Sequence, residues 1–152
     1  MYPVWIVTLF AALATFYTAL ELPRREAINT AIVSDVSATN FLAYRKAVQD
    51  YLRDNPSFTG SIDDAALAGY WLPGYIRDPA WTNLVEGRAL FVFSTGGVAN
   101  GTLYNLYSKS GESMLVGTKH PSTGRLTAPN GFDTGIVLPS VIGSGTLVMM
   151  GR

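Results

Sequence analysis

The chain has 152 residues, a formal net charge of zero, one histidine and no cysteine. That length allows a single core, the missing cysteines exclude disulfides and thiolate chemistry, and the neutral balance offers no broad attraction to nucleic acid. Charged residues are only 14% of the chain, low for a globular domain, partly because its opening stretch contains none.

That stretch, Tyr2 to Leu20, reads YPVWIVTLFAALATFYTAL and has no charge before Glu21. About 19 residues at 1.5 Å each reach roughly 28 Å, close to the hydrocarbon thickness of a bilayer. The run predicts a single transmembrane anchor over residues 1–22, with Trp5, Ile6, Leu9, Phe10, Leu13, Phe16 and Leu20 as its anchoring side chains. A cleaved signal peptide and a buried helix are the alternatives. The first calls for a basic segment before the apolar run, and no Lys or Arg precedes Arg24. Arg24 and Arg25, just past the run, lean toward a cytoplasmic C-terminal part.

Pro23 removes an amide donor and predicts a kink or break. Residues 23–55 then read as a helical segment packing on a sheet. Phe41, Tyr44, Val48, Tyr51 and Leu52 recur at three- and four-residue spacing, with Arg45, Lys46, Asp50 and Arg53 on the other side. Ile28, Ile32 and Val36 make a thinner stripe upstream. Either one helix runs through or Ser37 to Asn40 breaks it, and Asn55-Pro56 ends it. Ser61 to Gly69 (SIDDAALAG) predicts a short helix capped by Ser61 and stopped by Gly69. A turn-rich connector follows, crowded with Trp71, Leu72, Pro73, Tyr75 and Trp81.

From Arg88 the pattern turns to strands. Leu90–Phe93 and Thr102–Ser108 read as a hairpin closed by Gly-rich turn chemistry, Ser113–Gly117 as a further strand, and Thr146–Met150 (TLVMM) as the last. Helices first and an antiparallel sheet afterwards make an α+β fold, with residues 56–152 its mainly β part.

Reactive chemistry is sparse. His120, the single histidine, lies in KHPSTGR, where Lys119 and Arg125 flank hydroxyl donors; the segment reads as an anion-binding loop or, more simply, as an exposed turn. Asp63-Asp64 suits helix capping better than a carboxylate pair, because sequence neighbours point to different sides of a helix. No phosphate-cradling fingerprint, nucleophile elbow or metal-ligand set appears, so neither an enzyme nor a cofactor is expected. The aromatic group Tyr70, Trp71, Tyr75 and Trp81 is the candidate interaction surface, able to stack on sugar, peptide or partner rings. The alternative role for these rings is to close the core between helices and sheet.

An N-terminal apolar helix, a proline near its end, an amphipathic continuation and an antiparallel sheet is the layout of pilin-like proteins. More closely, the chain resembles the PilM family of type IVB (thin) pilus biogenesis. The resemblance is carried by its length, the opening YPVWIVTLFAALA, DPAWTNLVEGRALFVFS from Asp78 to Ser94, and IVLPSVIGSGTLVMMGR from Ile136. It implies a non-enzymatic inner-membrane component with a periplasmic domain, whose partners are other pilus-assembly proteins or pilin. The chain departs from true pilins: a pilin helix usually carries a Glu about five residues in, and here Trp5 stands there. A minor pilin entering the filament is one alternative. A glycan-binding or cell-wall-modifying module using the aromatic group is another.

Overall fold

The computed structural model describes residues 3–151; the side chains of residues 3, 18–20 and 22–23 are not described. The first element, α1 (Pro3–Asp54), is one helix of 52 residues. Its backbone stays helical through Pro23 and through Ser37 to Asn40, so neither predicted break occurs. It ends at Asp54, directly before Asn55-Pro56, as proline chemistry requires.

Among the described residues no helix is long and apolar enough to cross a membrane. This overturns the predicted transmembrane anchor, and with it the single-pass inner-membrane placement and the periplasmic side assigned from it. Farther on, the same helix carries Glu21, Arg24, Arg25 and Glu26. The side chain of Leu20, the last of the predicted anchor residues, lies outside the described residues, as does Tyr2.

After α1 come α2 (Asp64–Leu67), a 3-10 turn (Ala68–Tyr70), β1 (Trp81–Glu86) and β2 (Ala89–Ser94). The chain continues through α3 (Thr102–Lys109), β3 (Val116–Lys119), β4 (Arg125–Thr127), β5 (Asp133–Val137) and β6 (Leu147–Gly151). The six strands form one sheet in the order β1-β2-β6-β3-β4-β5, and every pair is antiparallel. The closing TLVMM run thus becomes a central strand, held by β2 on one side and β3 on the other.

β2 is buried on both faces, which explains its unbroken run of apolar residues. Leu90 and Val92 join Phe41, Tyr44, Val48, Trp81, Leu106 and Met149 beneath the helices. Phe91 and Phe93 join Leu126, Leu138, Ile142 and Val148 on the opposite face. β3 and β4 approach so closely that a Cβ at Gly117 would collide with the Thr127 carbonyl oxygen.

Several sequence expectations change here. Thr102–Ser108 is helix α3 rather than a strand, with Thr102 and Leu106 buried four residues apart. Packing on α1 decides this: Asn105 Nδ2 donates to Ser34 Oγ at 2.8 Å and Lys109 pairs with Asp35 at 3.0 Å. The hairpin partner of β2 is instead β1, which begins inside the supposed connector. They join through Gly87-Arg88, where only the glycine has positive φ, the II′ pattern whose twist matches the strands. The short helix is capped at Asp63 rather than Ser61, and Gly69 sits inside the 3-10 turn instead of stopping it.

Candidate functional site: an aromatic clamp and a projecting helix

The four aromatic residues singled out from sequence come together, and α1 gathers them. Asn40 is the hub. Its Oδ1 accepts from Tyr75 Oη at 2.9 Å and from Trp81 Nε1 at 3.0 Å, while its Nδ2 donates to the Ile76 carbonyl at 2.8 Å. Three groups of the connector are thereby held to one helix position. A half-buried amide with both ends used in this way specifies a register rather than adding an unsatisfied polar group.

Around this hub the rings stack. Trp71 lies between Tyr44 and Tyr75, with centroids at 5.9 and 5.1 Å and planes within 30°. Trp81 is fully buried and meets Phe41 edge-on at 5.0 Å. Tyr70 sits against Tyr51 and donates to Asp54 at 2.9 Å. Trp81 is therefore core, and the other three rings are half-buried against α1.

A second polar knot lies beneath. Asn83, buried on β1, accepts from the Ile62 amide at 2.8 Å, and its Nδ2 donates to Tyr44 Oη and to the Ile62 carbonyl. The Arg77 guanidinium stands over the Tyr44 ring and pairs with Asp64, Nε to Oδ1 2.8 Å, in an ion pair not aligned as a hydrogen bond. Burial pushes the Tyr44 and Tyr75 hydroxyls above the usual tyrosine range; at Tyr44 the Asn83 hydrogen bond works against that push. Sequence reasoning missed Asn40, Asn83 and Arg77. A signal existed for the first, since Asn is a poor helix former within a segment otherwise free of Gly and Pro.

The anion-loop reading of Lys119, His120 and Arg125 meets different geometry. Lys119 is buried and donates to the Pro139 and Ile142 carbonyls at 2.8 and 2.7 Å, fastening the 139–142 loop over the sheet. His120 Nδ1 is engaged by its own turn through Ser122 and Thr123, and Arg125 pairs with Asp133. Among the described residues, no group of three or more His, Cys, Asp or Glu is placed to hold a metal ion.

The remaining surface feature is α1 itself. Val4, Trp5, Ile6, Val7, Leu9, Phe10, Leu13, Phe16 and Tyr17 are all 55–80% exposed. Ile28, Ile32, Val33 and Val36 extend the exposed apolar side chains to the edge of the head, where Ile76 is also exposed. Monomeric soluble proteins rarely leave contiguous apolar surface beyond a few hundred Å² uncovered.

A helix buried along one half, projecting along the other and laid on an antiparallel sheet defines a helix-armed α+β protein. The PilM family model matches residues 7–150, and the chain belongs to the PilM family, which is related to pilus biogenesis. Among solved structures, it is similar to a PilM protein from Escherichia coli B7A at 26% identity and a TM-score of 0.59, covering 81% of this chain and 94% of that one. It is also similar to a PilM protein from Pseudomonas aeruginosa 2192, at 27% identity and TM-score 0.43 over 78% and 95% of the two chains. No curated protein matches the chain.

Proposed function

We propose that this chain works by binding, without catalysis, as a component that holds other proteins of a pilus-assembly machine, pilin included. The observation that carries the reading is the contrast within α1. From Ala38 onward its apolar residues pack against the rest of the chain, whereas from Val4 to Tyr17 every large apolar side chain is more than half exposed. Covering one such side chain is worth about 1.5–3 kcal/mol, so the projecting half offers ample driving force for association. The clamp at Asn40 supports the same reading, because it fixes the head rigidly to the helix that carries the arm.

Site-specific photo-crosslinking in a pilus-producing host tests it, with a benzophenone amino acid at Phe10 or Leu13 and, as control, at the exposed Val141 of the head. Adducts to identified pilus proteins from the arm positions and not from the control are the expected result. Equal adducts from all three positions, or none from the arm, count against it.

A second reading, a subunit within the filament itself, is favoured by the half-packed, half-projecting helix. Immunogold labelling along sheared filaments supports it, and filaments free of label remove it.

A further inference from the structure

At the opposite end of α1 from the arm, a cleft of about 300 Å³ opens between the last turns of the helix, the loop after it and the β1–β2 hairpin. Leu52, Phe58 and Leu90 give it an apolar floor, and Gln49, Arg53 and Arg88 stand among its lining residues. The floor is held in place: Phe58 meets Tyr51 edge-on at 5.5 Å, and Leu90 is a buried strand residue paired with Gly151. The II′ turn at Gly87 carries Arg88 on the hairpin tip, where it is exposed.

The charges around the cleft are uneven. Asp50 serves two cations at once, since Lys46 reaches its Oδ2 at 2.9 Å while Arg53 contacts its Oδ1. Arg88 has no ion pair or hydrogen bond among the described residues, and Glu86, across the turn, does not line the cleft. One helical turn before Gln49, Arg45 lies against Gly151, its Nε buried without a partner. A guanidinium beside a shaped apolar hollow recognises a carboxylate and a hydrophobic group together.

We propose that this cleft is a docking site for an acidic segment of a partner protein, seating one apolar or aromatic side chain on Leu52, Phe58 and Leu90 with an adjacent carboxylate on Arg88. Charge complementarity chooses this occupant: an apolar floor alone would accept any hydrophobic residue, whereas the unpaired Arg88 selects one with an anion beside it. The volume suits a single side chain, so the site acts as an anchor point within a larger contact. It is independent of the arm and stands whether or not the arm binds pilus proteins.

Titrating the isotope-labelled full chain with N-acetylphenylalanine, followed by amide shifts, tests the proposal. The expected result is concentration-dependent shifts centred on Phe58, Gly87 and Arg88, with Val141 unmoved. The carboxamide analogue, and the acid added to an Arg88→Gln chain, should each bind about tenfold more weakly. Because Arg88 is exposed at a turn, that variant keeps the fold, which the dispersion of its spectrum verifies. Absence of shifts at the cleft at millimolar ligand, or equal shifts with acid and carboxamide, overturns the proposal.

Discussion

One backbone runs through both halves of α1, yet the two halves meet opposite surroundings. Between Ser34 and Val48 the buried positions fall at 34, 38, 41, 44, 47 and 48, a stripe turned toward the sheet. Between Val4 and Tyr17 large apolar residues reach every side of the helix, and all are exposed. An amphipathic stripe is satisfied by one neighbour from the same chain. A helix that is apolar all round finds no such neighbour among the described residues, so the first half stays uncovered while the second builds the core.

The sharpest way to break this contrast is to attack the packed half. Trp81→Ala removes a fully buried ring and one of the two donors to Asn40 Oδ1. It should cost about 3–5 kcal/mol, read as a lower urea midpoint by near-ultraviolet dichroism. Asn83→Leu should cost roughly 3 kcal/mol, because Tyr44 Oη and both Ile62 backbone groups lose their partner inside the core. If either change leaves stability untouched, the clamp is not what holds helix and sheet together.

A pH titration sharpens the contrast from the chemical side. Tyr44 and Tyr75 ionise above the ordinary value of 10.0 because they are buried, so above that pH the unfolded chain carries fewer protons than the folded one. Stability should therefore fall as pH rises past about 10, and Tyr75→Phe should make that fall shallower. An unchanged slope in the variant would show that Tyr75 does not contribute.

Asp64→Asn, which breaks a half-exposed pair with Arg77, should cost about 0.5 kcal/mol. The smallest effect belongs to the projecting half: Leu13→Ser should leave the stability of the head within about 0.5 kcal/mol. The same variant should lose crosslinks to pilus proteins formed from a probe at Phe10. A large drop in the stability of the isolated chain would mean that the arm packs on the head after all.

How much of this was readable in advance depended on range. The α+β order, the stop at Asn55-Pro56, the core stripe Phe41–Tyr44–Val48 and the closing strand follow from local periodicity and proline chemistry, which act within a few residues. The aromatic group was visible as composition, but its ordering around Asn40 was not, since Trp81 lies 41 residues away along the chain. Thr102–Ser108 shows the limit from the other side: Leu and Tyr at mixed spacing suit a strand or a helix, and only contact with Ser34 and Asp35 chose the helix.

The sequence by itself therefore determined the amphipathic half of α1, the apolar character of the other half, the neutral and cysteine-free chemistry and the family resemblance. Tertiary structure decided that α1 continues through Pro23, that TLVMM sits at the centre of the sheet, that Trp81 is core, and that Arg53 and Arg88 share one cleft. The physical reason is the distance over which each cause acts. Periodicity, capping and backbone restriction are properties of neighbouring residues, whereas strand order, buried polar knots and clefts exist only when segments far apart in the chain exclude water from one another.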